Sequence, residues 1–212
     1  MILFGAPVSP YVRKVLVYAA ERAITLELVP VGLGDPNPDF LAASPFRKMP
    51  ALKDGDFSIS DSTAIIAYLE TKHPDGALIP ADAQGRARTT WFEEFADTIV
   101  TAAGGKIFFN RVVSPKFLGR PGDEEVALQG EQDMVPCYNY LESVIPASGF
   151  LVGDRLTLAD IAVASPFVNA AHCGVVPDPA TYPKLTAFLA AMHARPGFAD
   201  WIRRERKMLG LG

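Results

Sequence analysis

Three short stretches carry the residues that can do chemistry. Ser9 stands directly before Pro10 and a run with helical apolar spacing. A hydroxyl at a helix N-terminus, beside backbone N–H groups without intrahelical partners, can hydrogen-bond a thiolate or another anion. Such surroundings lower a thiol's pKa by stabilising its charged form. The same position also suits an ordinary N-cap. Covalent attack by Ser9 is not indicated, because His73, His172 and His193 stand in no nucleophile motif. The second stretch is Lys48-Met49-Pro50. Proline gives no N–H to a ladder, so a Met-Pro step entering a strand marks an edge or an irregular start. A cis bond there turns the Met49 backbone outward, where its N–H and C=O can pair with an extended ligand as in strand addition; residue type alone favours trans. The third stretch is Asp61-Ser62, again before a helical run. It reads as a capping pair. It also reads as a seat for a ligand carboxylate on Ser62 and the helix amides, with Asp61 left for an ammonium. An amino-acid headgroup carries both charges. Lys48 and Arg47 are either partners for a second carboxylate or solvated loop charges. His172-Cys173 is adjacent and alone, so no metal site is expected.

The bulk composition sets the setting for these groups. With 49% hydrophobic and 21% charged residues over 212 positions, the chain reads as globular, with room for one large domain or two small ones. A net charge of −4 gives no overall field for nucleic acid or an anionic membrane. Two cysteines, Cys137 and Cys173, cannot form a disulfide framework. The opening MILFGAPVSPY is a poor signal peptide, and no apolar run reaches the roughly 20 residues of a membrane span. A cytoplasmic location is expected.

The elements that must position the site follow from periodicity. Met1 to Phe4 is a short apolar run, as in a strand buried on both faces. Val12, Val15, Leu16 and Ala19 mark the helix after Ser9. Ile24, Leu26 and Leu28 alternate as a strand does. Gly32 to Pro38 and Pro45 to Pro50 read as irregular. Ala51 to Lys53 and Phe57 to Ser60 read as strands around the Asp54-Gly55-Asp56 turn, and a helix follows Asp61-Ser62. The first strand pair is expected parallel and the last antiparallel. From Gln84 onward only helices are expected. Trp91, Phe95, Ile99, Ala103 and Ile107 define one face of a long helix, with a kink or close approach at Gly104-Gly105. A loop over Ser114 to Gly122 precedes a helix from Asp123 to Ile145. Thr157-Leu158-Ala159-Asp160 is a capping box with Asp in place of Glu, flanked by a Leu156/Ile161 staple. Helices opening at Tyr182-Pro183 and spanning Phe198 to Lys207 close the chain.

Several ordered motifs together resemble the cytosolic glutathione S-transferases, of the bacterial type with serine at the active-site turn, over nearly the whole length. FGAPVSPYVRKV resembles the family's first strand and active-site turn, and SPFRKMPAL its Asn-Pro-x-Gly-Lys-Val-Pro-x-Leu element. SISDSTAIIAYL resembles its Glu/Gln-Ser-x-Ala-Ile helix start, FLVGDRLTLADI its late capping-box helix, and YPKLTAFLAAMHARPGF its penultimate helix. The resemblance implies an α/β thioredoxin-like N-terminal domain (1–76), a linker (77–83), an all-α helical domain (84–212), a cis Pro50 and a homodimer. It implies glutathione as co-substrate, with Ser9 catalytic. Met49 pairs through its backbone with the cysteinyl part, Asp61 and Ser62 hold the γ-glutamyl end, and Lys48 reaches for the glycyl carboxylate. Ser44 replaces the family's Asn, Arg47 its Gly and Asp61 its Glu.

These expectations favour glutathione conjugation: the thiolate, hydrogen-bonded by Ser9, attacks an electrophilic and mostly apolar small molecule. The second substrate is expected against Pro7, Val8, Tyr11, Ile107 and Arg111. Serine in place of cysteine at position 9 cannot form a mixed disulfide, which disfavours reductase chemistry. A glutathione-dependent isomerase or a dehalogenating or ether-cleaving relative uses the same thiolate, with added cations such as Arg13 and Arg111. A non-catalytic binding protein on the same fold is the reading from another class.

Overall fold

The structure, a computed structural model, describes residues 1–211. It divides into two compact units, Met1–Leu78 and a second beginning at Ile79.

The first unit is built on a four-stranded sheet. Its strands are β1 (Ile2–Phe4), β2 (Glu27–Val29), β3 (Ala51–Asp54) and β4 (Phe57–Ser60), in the order β2-β1-β3-β4. β1 and β2 are parallel, joined through helix α1 (Pro10–Glu21). β3 runs antiparallel to β1 and forms a hairpin with β4, with Gly55 at φ +60° in the turn. One face carries Phe4 and Ala51, packed with Val31, Phe40 and Ala43. Leu3 and Leu52, paired in register and fully buried, point to the other face. α1 packs against helix α3 (Ser62–Lys72).

Two details differ from the sequence expectation. The strand expected from Ile24 begins only at Glu27, because Ile24 N–H turns back to the Ala19 carbonyl in the exit from α1. A short helix α2 (Pro38–Ala43) follows the loop at Gly32. Pro38 does not break it, since it sits in the first turn where no N–H is needed, and the Asn37 side chain caps Phe40 N–H.

The end of the sheet unit is fastened by Arg22, whose side chain is 1% exposed. It pairs with Glu70 and donates to the Tyr18 hydroxyl (2.5 Å), to the His73 carbonyl and to the Asp75 carbonyl (2.9 Å). Burial, and then the bond to Glu70, push the Tyr18 hydroxyl well above its usual titration range.

The second unit is helical. α4 (Ala83–Glu94) continues through a wide-pitched π-helical stretch (Phe95–Val100) into α5 (Thr101–Phe108), and then through a second such stretch (Phe109–Phe117). Then come α6 (Glu124–Val144), α7 (Leu158–His172), α8 (Pro183–His193) and α9 (Pro196–Leu209). The expected four-residue stripe splits: Phe95, Ala103 and Ile107 are buried, whereas Trp91 and Ile99 are exposed. Steps of four keep one face only at constant pitch, and the π-helical turns change it. Thr101 Oγ1 donates to the Ala96 carbonyl five residues back (2.8 Å). The helix also runs on through Ser114–Phe117, where a loop is expected; Leu118 N–H bonds back to Val113 across five residues. The close approach expected at Gly104-Gly105 is not made by those glycines, where an added Cβ would meet nothing nearer than 3.7 Å; it is Gly130 on α6 that packs tightly against α5. A Cβ there would lie 2.8 Å from the Ala103 carbonyl and 2.9 Å from Ile107.

α7 is the central helix, buried from Leu158 to Ala170. Its capping box is formed: Asp160 accepts from Thr157 N–H (2.8 Å) and Oγ1 (3.1 Å), and also from Leu151 N–H (2.7 Å). Among the described residues no helix is long and apolar enough to cross a membrane, and no three or more His, Cys, Asp or Glu side chains gather as a metal site needs.

Candidate functional site

The sheet ladder itself brings three of the sequence stretches together. β1 and β3 pair Phe4 with Ala51, and extending that register two residues sets Met49 opposite Ala6. β3 and β4 pair Ala51 with Ser60, and the same extension sets Met49 opposite Ser62. Met49 is therefore the middle member of a row, flanked by the turn that leads to Ser9 and by the start of α3. Adjacent strands lie about 4.8 Å apart, so the row spans about 10 Å.

Each member is held by its neighbours. Gly5 is buried against α1: a Cβ there would lie 2.4 Å from a Val12 methyl, so only glycine lets the strand turn this close to the helix. Ser9 N–H bonds to the Ala6 carbonyl (2.9 Å), and the Ser9 carbonyl accepts from Arg13 N–H (2.9 Å) as α1 begins. The Ser9 side chain makes no capping hydrogen bond and is half-buried. Its hydroxyl remains available, unlike that of a working N-cap.

The Met49–Pro50 bond is cis. The Pro50 carbonyl accepts from Asp61 N–H (3.2 Å), and the Met49 Sδ accepts from Ala6 N–H (3.4 Å). Among the described residues the N–H and C=O of Met49 itself have no partner. Asp61 stands at φ +86°, and its Oδ1 accepts from Thr63 N–H (2.9 Å) and Ala64 N–H (3.0 Å). It is a true cap of α3, with Oδ2 left over in an exposed position. Ser62 is nearly sealed, at 2% exposed, yet its hydroxyl is not among the fully enclosed unpaired polar atoms. Lys48 and Arg47 are both exposed, Arg47 at φ +56°.

The residues expected around a second substrate are placed less uniformly. Pro7 and Tyr11 are half-buried and Val8 buried, all next to Ser9 in the chain. Ile107 departs from the expectation: with no exposure, and packed on Gly130, it belongs to the core of the helical unit rather than to an open wall. Arg111 is committed to Glu124 (2.5 Å) and Glu131 (2.6 Å). The bonds from Glu124, chiefly, hold the Arg111 guanidinium above even its usual range, and Arg111 holds Glu124 below the carboxylate range.

The surroundings of the chain's own thiols disfavour their thiolate forms. Burial pushes the Cys173 thiol up to about 11, and raises Cys137 as well. Sequence reasoning noted one member of this neighbourhood only as a replacement in the SPFRKMPAL motif and gave it no role. Ser44, 1% exposed, is bonded through its hydroxyl to both backbone groups of Lys48. A serine four residues before a lysine in a proline-rich loop gives no periodic signal.

A short mixed sheet with α1 and α3, a cis-proline just before β3, and a following helical unit together define a thioredoxin-like N-terminal fold joined to an all-α region. Family models agree. Residues 3–77 match the glutathione S-transferase N-terminal domain and residues 121–205 the glutathione S-transferase C-terminal domain. The chain is 32% identical to glutathione S-transferase 3 of Zea mays over 204 residues, covering 92% of this chain and 90% of that one. It is 30% identical to glutathione S-transferase theta-3 of Mus musculus, covering 93% and 78%. A solved glutathione S-transferase from Rhodospirillum rubrum superposes with a TM-score of 0.86 at 26% identity, covering 94% and 90%. One from Methylobacterium radiotolerans, in complex with glutathione sulfonate, gives 0.77 at 28%, covering 95% and 93%. The chain belongs to the glutathione S-transferase family.

Proposed function

We propose that this protein conjugates glutathione to electrophilic, mostly apolar small molecules, acting as a homodimer. The observation that carries the reading is the unpaired N–H and C=O of Met49, in the middle of the row between Ala6 and Ser62. A peptide that pairs with both extends the sheet by one short segment. Its γ-glutamyl end falls to the α3 start, where Ser62 and the helix amides take the carboxylate and Asp61 Oδ2 takes the ammonium. Lys48 meets the glycyl carboxylate from the exposed loop.

At the Ala6 end, Ser9 donates its hydroxyl hydrogen to the ligand sulfur. That bond favours thiolate over thiol, so the proton leaves to solvent at a lower pH than in free glutathione. The sulfur lone pair then forms the S–C bond while the leaving group departs with its electron pair. Pro7, Val8 and Tyr11 flank the electrophile on the Ser9 side. Arg111 is neutralised by two carboxylates, which removes one of the cations that an isomerase with a polar acceptor site would need.

The test is Ser9→Ala assayed with glutathione and 1-chloro-2,4-dinitrobenzene. Loss of one charge-assisted hydrogen bond, about 1.5–3 kcal/mol, corresponds to a fall in rate of about 10- to 150-fold. The apparent thiol pKa of the bound ligand rises, while its affinity stays within a few-fold. Full activity with an unchanged thiol pKa refutes the role of Ser9.

A further inference from the structure

The exposed loop before Met49 is held by a single buried hydroxyl. Ser44 terminates α2, its N–H bonded to the Phe40 carbonyl (2.8 Å), and Phe40 is fully buried in the sheet core. The Ser44 carbonyl accepts from Arg47 N–H (2.9 Å), closing a turn over Pro45 and Phe46. Its Oγ donates to the Lys48 carbonyl (2.7 Å) and accepts from Lys48 N–H (2.9 Å). One residue thus uses every hydrogen-bonding group it has to anchor the loop to the core.

Among the described residues no other hydrogen bond holds Pro45 to Lys48. Pro45, Phe46, Arg47 and Lys48 are all exposed, and Arg47 is held at φ +56°, a conformation that disfavours any residue with a Cβ. Without the two Oγ bonds, the left-handed Arg47 would relax and the Lys48 peptide would swing. Met49 follows directly, and its remaining tethers are the Sδ contact to Ala6 and the Asp61–Pro50 bond. Those fix the far side of Met49 and its side chain. The peptide plane carrying Met49 N–H includes the Lys48 carbonyl, the very atom that Ser44 Oγ grips. Ser44 therefore sets the direction in which Met49 N–H points.

We infer that Ser44 is a positioning residue that preorganises the Met49 backbone for its peptide ligand, an inference that rests on the proposed glutathione site. It touches no substrate atom. Its effect falls on binding rather than on the chemical step, because Ser9 sits on a separate turn anchored through Gly5 and Ala6.

The experiment compares wild type, Ser44→Ala and Ser44→Thr in three measurements: amide hydrogen exchange, calorimetry with S-methylglutathione, and steady-state kinetics. In Ser44→Ala, exchange at Lys48 accelerates while the β3 amides stay protected. The Kd and the KM for glutathione rise about tenfold, and kcat stays within twofold. Ser44→Thr keeps the hydroxyl and restores binding toward wild type, which separates the clamp from a general loss of folding. Equal KM and Kd in wild type and a folded Ser44→Ala overturn the positioning role and leave the proposed function standing. A wild type that binds no S-methylglutathione overturns the proposed function instead; the Lys48 exchange then still reports whether the clamp exists. A kcat loss without a KM change also overturns the inference.

Discussion

Replacing Asp160 by alanine tests how much of the helical unit depends on one buried carboxylate. Asp160 is fully buried and receives three hydrogen bonds, two from backbone N–H groups and one from a hydroxyl. Alanine leaves Leu151 N–H and Thr157 N–H unpaired inside the protein, at about 1–3 kcal/mol each. Part of this is offset because a buried charge is no longer desolvated. The expected net loss is about 2–4 kcal/mol, a large share of the roughly 5–15 kcal/mol typical of a domain. Both tryptophans, Trp91 and Trp201, lie in the helical unit, so their fluorescence follows its urea unfolding. With a slope of about 2 kcal/mol per molar, the midpoint falls by about 1–2 M.

Asp160→Asn should lose about half as much, because one oxygen still accepts while the amide faces a donor. Burial pushes the Asp160 carboxyl above its ordinary value, against the pull of the Leu151 and Thr157 donors. The native state then binds this proton more tightly than the unfolded chain. The share of stability from this group is complete below the unfolded pKa and is lost as pH rises through the folded one. The gap between wild type and Asp160→Asn therefore widens as pH is lowered through that interval. A loss under about 1 kcal/mol in Asp160→Ala, with an unchanged slope, would refute the reasoning. It would mean that the loop ahead of α7 relaxes and finds other partners.

Two further outcomes follow from close packing and buried charge. Gly130→Ala places a methyl 2.8 Å from the Ala103 carbonyl and 2.9 Å from Ile107, and should cost about 1–3 kcal/mol through overpacking between α5 and α6, read as a lowered urea midpoint. Arg22→Leu takes the guanidinium away from Glu70, which keeps the Tyr18 hydroxyl, and from the carbonyls of His73 and Asp75. It should cost about 3–5 kcal/mol in the sheet unit, measured by global hydrogen exchange of the β1 and β3 amides, while a double change with Glu70→Leu recovers part of the loss.

Much of the sheet unit is legible in the sequence because each signal there is local. The Asp54-Gly55 turn, the Ser9-Pro10 start and the switch of apolar period from two to four residues each act within a few positions. The candidate site is legible as stretches but not as a row, since the alignment of Met49 between Ala6 and Ser62 depends on strand pairing across distant parts of the chain. The short helix α2 goes unread because it is only six residues long and opens on Pro38, at a position that needs no N–H. In the helical unit the spacing of apolar residues misleads at Trp91 and Ile99, where the pitch is not that of an α-helix. The free Ser9 hydroxyl is the opposite of what its capping position suggests, and only geometry tells the two apart.

The row at the sheet edge separates two kinds of inherited change. Residues in the loop from Pro45 to Lys48 can be exchanged without altering which backbone group stands opposite which, because the strand pairing begins only at Ala51. An insertion or deletion of one residue inside Ala51–Asp54 would instead shift the whole address of Met49 by one place and turn alternate side chains to the opposite face. Substitution in the loop tunes how firmly a ligand is held, whereas strand length decides whether there is a place to hold it. Loop composition can therefore vary without moving the row, whereas the spacing of Met49 from the paired residues of β3 and of Ser62 from those of β4 cannot.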